Sequence, residues 1–114
     1  MIKIVLEGNA KADIRDIIKE EVAEDYGYFE KEVATKEGKL ITILYEKYFL
    51  RINSDLDVTI FYEEFKEGTK IELIASGGNV GNLIRTSYGA ENKALEGITE
   101  KLVALGFVVK EQAE

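Results

Sequence analysis

The chain has no cysteine, no histidine, no proline and no tryptophan in its 114 residues. Without thiol or imidazole there can be no disulfide, no thiolate nucleophile, no Ser-His or Cys-His dyad, and no ordinary zinc site built on nitrogen or sulfur ligands. Without proline, and with no low-complexity run or internal repeat, nothing marks a linker; a chain of this length folds around one core, as a single domain over residues 1–114. No segment reaches eighteen uninterrupted apolar residues, and the opening MIKIVLEG has neither the basic flank nor the cleavage site of a secretory signal. The sequence therefore reads as cytoplasmic, with no membrane partner. Basic residues are outnumbered, 15 against 22 acids, for a net charge of -7. That field repels phosphate backbones, so nucleic acid is not an expected partner.

What is present is strong periodicity. IKIVLE is rich in β-branched residues and closes at Gly8-Asn9, as a strand ending in a turn does. In NAKADIRDIIKEEVAED, Ile14, Ile17, Ile18 and Val22 fall on one stripe of a 3.6-residue period, with Asn9 as the expected N-cap and Gly27 as the terminator. From Tyr28 to Ser76 the period changes to two, punctuated by KEGK at Lys36 and KEGT at Lys66, which predicts a meander of hairpins. LITILYEKYFLRI is long for one strand, and Glu46-Lys47 in its middle predicts a bulge. NLIRTSY reads as a last strand. AENKALEGITEKLVALG gives the second helix, with Ala94, Leu95, Ile98, Leu102 and Leu105 on one stripe and Gly106 as the residue beyond its end. FVVKE adds a short strand or covers the core.

The order β, α, four or five strands, α implies an α+β domain in which a curved antiparallel sheet packs on two helices as two layers. It is similar to the helix-grip and TATA-binding-protein-like folds, with a ferredoxin-like sandwich as the alternative.

Three constellations stand out. The glycines of SGGNVG fit neither a dinucleotide fingerprint nor a phosphate loop, because the predicted helix starts too late and no lysine follows Gly81. Gly77 and Gly78 then either turn the sheet or open a backbone edge to a ligand. In YEKYFLR, regular alternation sets Tyr45 and Arg51 on one face and Glu46 and Tyr48 on the other, and Arg51 either pairs with a surface acid or receives a carboxylate or phosphate. In SYGAEN, Ser87 or Gly89 serves as N-cap and Glu91 sits in the first turn. NSDLDVTIFYEE places Asn53, Asp55, Asp57 and Glu64 at calcium-loop spacing, but Val58 stands where that loop needs glycine, so neither metal nor cofactor is expected.

EKYFLR, SGG with a further glycine, and YGAE leading into a helix resemble motifs of an uncharacterised family of small bacterial proteins, a domain of unknown function. Its motifs have the form E-K-Y-[YF]-x-R, S-G-G-x-x-G and W-G-A-E. Glu46, Lys47, Tyr48, Phe49 and Arg51 match the first; Ser76, Gly77, Gly78 and Gly81 the second; Gly89, Ala90 and Glu91 the third, with Tyr88 in place of tryptophan. The resemblance brings a shared site but no activity. The resulting expectation is a non-catalytic module that binds a small molecule or peptide in a groove between sheet and helix, through Tyr48, Arg51, Ser76, Gly77, Gly78, Tyr88 and Glu91. The alternative is a structural protein or homodimer with no pocket. Catalysis ranks last, because acid-base work would fall to a carboxylate or tyrosine of shifted pKa.

Overall fold

A computed structural model describes residues 1–10, 13–21, 27–49, 54–76 and 84–113. The elements in chain order are β1 (Ile2–Gly8), α1 (Ile14–Glu21), β2 (Phe29–Ala34), β3 (Lys39–Phe49), β4 (Ser54–Phe65), β5 (Gly68–Ser76), α2 (Ile84–Ala104) and β6 (Val108–Ala113). All six strands join one antiparallel sheet in the order β2-β3-β4-β5-β1-β6.

The alternation read from β4 and β5 explains the sheet. Its register sets Ile60 between Ile43 and Leu73, and Val58 between Tyr45 and Ala75. All of these are buried, with Ile2, Ile4 and Leu6 of β1 on the same side. Ile14 and Ile18 of α1 and Ala94, Leu95, Ile98 and Leu102 of α2 complete the same cluster. Each large side chain so buried contributes roughly 1.5–3 kcal/mol, and their sum is what orders the chain. α2 contacts β5, β1, β4 and α1.

Several expectations are corrected here. The fold is sheet-dominated, not a helix-grip arrangement in which four or five strands clasp a terminal helix. Of the two readings of FVVKE the short strand is the one found: Val108 to Glu111 enter β6, which pairs with β1, so α2 is not the last element and β1 lies inside the sheet. Among the described residues, the two helices are a minor component beside six strands.

The stretch from Ile84 to Tyr88 is helical rather than a strand. β-branched and aromatic residues cost a helix at most about 0.7 kcal/mol each, less than burial of the stripe further along returns. Ser87 and Gly89 therefore lie inside α2 rather than before it, and Glu91 lies beyond its first turn. Leu105 leaves the stripe and is exposed in the turn after the helix.

The N-cap of α1 is Asp13, not Asn9. Its carboxylate accepts from the Arg15 amide at 3.2 Å, while its carbonyl accepts from Asp16 at 3.1 Å. The bulge expected at Glu46-Lys47 does not form: β3 pairs with β4 in unbroken register from Leu40↔Glu63 to Phe49↔Ser54. The irregularity sits instead between β1 and β6, at Val5/Leu6. The acids of the calcium-like spacing that are described, Asp55, Asp57 and Glu64, lie along strand β4, which rules out a loop that could wrap an ion.

Candidate functional site

The end of the sheet where β3 and β5 finish and β4 begins carries the described residues of two of the sequence motifs, Glu46 to Phe49 and Ser76. Unbroken antiparallel pairing sets Glu46 opposite Asp57, and Asp57 opposite Ser76, in one row across three strands. Parity puts this row on the face opposite Tyr45, Val58 and Ala75, whose side chains are buried in the core. Ser76 thus belongs to the face turned away from the buried cluster that α1 and α2 join, half-buried beside the exposed Asp57. This is not the sheet-helix groove expected for it, because a strand that buries Leu73 and Ala75 must turn Ser76 the other way.

Tyr48 pairs with Asp55 one step further along the same strands. Tyr88 and Glu91 belong to the N-terminal half of α2, which starts eight residues after β5 ends at this edge. Arg51, Gly77 and Gly78 lie outside the described residues. The backbone therefore brings Tyr48 and Ser76 to one end of the sheet, on strands separated only by β4. Where α2 and the sheet are described together, Leu95, Ile98 and Leu102 are buried with Ile60, Ile71 and Leu73.

Sequence reasoning did not find the cleft at the opposite end. A space of about 480 Å³ opens there between Gly8-Asn9, the β4-β5 turn and the α2-β6 turn. Its signal was present as three separate turn motifs. Nothing in sequence shows that β1 pairs with β5 so that Gly8 stands opposite Thr69. Glu7 and Glu67 lie there with Lys70 and Lys110, a mixed set with no single sign.

Charged contacts tie elements together. The Arg15 guanidinium of α1 pairs with Glu30 and Glu32 of edge strand β2. Hydrogen bonding from Arg15 holds the Glu32 carboxyl below its ordinary value, helped by the nearby charge of Lys39. Lys101 of α2 meets Glu20 of α1 at 2.7 Å and lowers its pKa in the same way. Lys3 meets Glu111 at 3.0 Å across the β1-β6 pair, which raises the lysine. Burial raises the Tyr28 phenol, reinforced by Glu30, to which its hydroxyl donates at 3.3 Å. Each shift has a structural partner. Among the described residues, no group of three or more carboxylates is arranged to hold a metal ion, and no helix is long and apolar enough to cross a membrane.

No curated protein and no solved structure matches the chain. One family model does, over residues 5–106, from within β1 to the turn after α2. On that match the chain belongs to a family of unknown function, DUF6054.

Proposed function

We propose that the protein is a non-catalytic binding module, whose contact surface for a small molecule or peptide lies at the end of the sheet formed by β3, β4 and β5. What carries the reading is the register. It sets Glu46, Asp57 and Ser76 in one row and Tyr48 beside it, at the end of the sheet where the chain leaves β5. Strand ends hold a small polar constellation more firmly than a free loop does, and here β4 pairs with β3 and β5 on its two sides, so that Asp57 is fixed between Glu46 and Ser76. Tyr48, Arg51, Ser76, Gly77, Gly78, Tyr88 and Glu91 are the proposed contacts, with Arg51 as the cation for a carboxylate or phosphate.

A binding role is favoured over catalysis because the chain has no histidine or cysteine to serve as general base or nucleophile. The test is native mass spectrometry of the purified protein beside its Arg51→Ala variant. The reading expects a co-purified mass on the wild type that the variant loses at unchanged melting temperature. A wild type that carries nothing, or a variant that keeps the mass, removes it.

A further inference from the structure

Three turns meet at the end of the sheet away from the sequence motifs, and the cleft between them, about 480 Å³, has the size of a small-molecule site. The turns follow β1 at Gly8-Asn9, join β4 to β5, and link α2 to β6. One residue of the lining stands apart. Thr69 is the one polar side chain buried among the described residues, at 6% exposed. The register places it between Gly8 and Glu64, on the same face as the buried Ile71 and Leu73, and Gly8 has no side chain with which to cover or pair it. Its hydroxyl makes no hydrogen bond to a described residue, and its oxygen is not sealed from the cleft. A bound polar group would satisfy it.

Charge at the mouth is balanced. Glu7 and Glu67 stand there with Lys70 and Lys110, two acids and two bases in a chain whose net charge is -7. None of the four forms an ion pair with a described residue, whereas Lys3, Arg15 and Lys101 each hold an acid. The register sets Glu7 directly opposite Lys70, and side chains so paired are roughly 5 Å apart at their bases. A simple anion in the cleft would meet both glutamates and a simple cation both lysines, so the lining suits a ligand that carries both signs close together. Phe65, 39% exposed, adds an aromatic wall.

We propose that this cleft is a second binding site, for a free α-amino acid. Lys70 and Lys110 donate to its carboxylate, with the Thr69 hydroxyl as a further donor; Glu7 and Glu67 accept from its ammonium, and an apolar side chain rests on Phe65. A free amino acid is selected over a peptide because its two charges sit on one carbon, which matches charges facing each other on neighbouring strands. A peptide separates them to its two ends.

The test is titration calorimetry of the purified full chain with each standard amino acid, and with acetate, methylammonium and dialanine as controls for a single charge and for separated charges. At least one apolar amino acid is expected to bind in the micromolar to millimolar range and to raise the melting midpoint, while each control binds at least tenfold more weakly. Thr69→Val, which keeps the β-branched shape, and Lys110→Gln, on an exposed strand, are each expected to weaken binding by at least tenfold. Thr69→Ser, which keeps the hydroxyl, is expected to retain it. Lys19→Gln, exposed on α1 and outside the cleft, is expected to change nothing. Should Thr69→Val fail to fold, Lys110→Gln and Thr69→Ser decide. No binding by any amino acid, a control that binds as tightly, or an affinity indifferent to the Thr69→Val and Lys110→Gln changes each overturns the proposal. The outcome is separable from the end-of-sheet reading, since Arg51→Ala is expected to leave this affinity unchanged; an amino acid lost by Arg51→Ala would belong to that site and overturn this one.

Discussion

The Phe107 amide donates to the carbonyl of Leu102 at 3.1 Å, reaching back over Gly106, whose own amide donates to Val103 at 3.0 Å. These two bonds close the C-terminal end of α2 as a Schellman motif, and Phe107 and Leu102 enter the same buried cluster. The turn needs φ of +108° at Gly106, where an added Cβ would meet no neighbour within 4 Å. The cost of Gly106→Ala is thus conformational alone, about 1–2 kcal/mol. Thermal melts should show the midpoint lower by several degrees, with the native circular dichroism spectrum retained.

Gly68 makes a different demand. An added Cβ there would stand 2.7 Å from the carbonyl oxygen of Gly8 and 2.7 Å from Oδ1 of Asn9. The Gly8 oxygen is backbone in a paired strand, which cannot swing away, so Gly68→Ala has to separate the β4-β5 turn from the end of β1. Overpacking of this kind costs typically 1–3 kcal/mol. On top of that comes the positive φ, so in urea denaturation Gly68→Ala should be the more destabilising of the two glycine variants. A Gly68→Ala midpoint equal to that of wild type would mean that this turn has room to move.

Gly106 and Gly68 also show what was legible in the sequence. Gly106 was visible as the residue beyond the second helix, and Gly68, like Gly38, as turn punctuation in KEGT and KEGK, while the alternation between them gave β4 and β5 with the correct buried face. Such signals are local: a turn residue, a period, a cap. Three features depend on distant partners and stayed hidden. FVVKE carried too short a pattern to show that β1 would accept it as a neighbour. Glu46-Lys47 looked like an interruption because charges sit mid-strand, yet Glu46 needs only the open face, opposite Asp57. The run from Ile84 to Tyr88 has strand-like composition and becomes helical because α2 as a whole buries its later stripe. The end-of-sheet motifs were grouped in sequence by type. That Tyr48 and Ser76 share one end follows only from the register of β4 between them.

The Arg15 bridge gives the acid limb of stability a direction. Glu32 has its carboxyl held below 4.5 by Arg15, so the folded state binds this proton less readily than the unfolded chain. The contribution is fully present above the ordinary glutamate range and is lost as pH falls from about 4.5 through the lowered folded-state value. Glu32 is exposed and the effect is screened, so it should be small. Glu32→Gln is expected to lower the urea midpoint slightly at neutral pH and leave it unchanged in acid, and so to flatten the fall between them. An acid limb as steep as that of wild type would assign the pH dependence to other groups.

The exposed bridge between Lys101 and Glu20 and the buried ring of Phe107 both secure α2, and they differ in what they should cost to remove. The bridge joins α1 to α2 at 2.7 Å through side chains with large solvent exposure. Entropy and screening offset most of its attraction, so Glu20→Gln should shift the melting midpoint by no more than about 2 °C and by still less at high salt. Phe107 is 2% exposed, and its Cδ1 would lie 2.9 Å from a Cβ placed on Gly8, so it fills the corner where β1 ends beneath the α2-β6 turn. Phe107→Ala leaves a cavity there and is expected to cost about 3–5 kcal/mol, a large part of the stability of a domain this size. Phe107→Leu should recover much of that loss by refilling the corner. Equilibrium unfolding of the three variants therefore ranks Phe107→Ala far below Phe107→Leu, with Glu20→Gln close to wild type. If Phe107→Ala were as stable as Glu20→Gln, the turn after α2 would not be anchored by its apolar contact, and the backbone bonds across Gly106 alone would have to hold it.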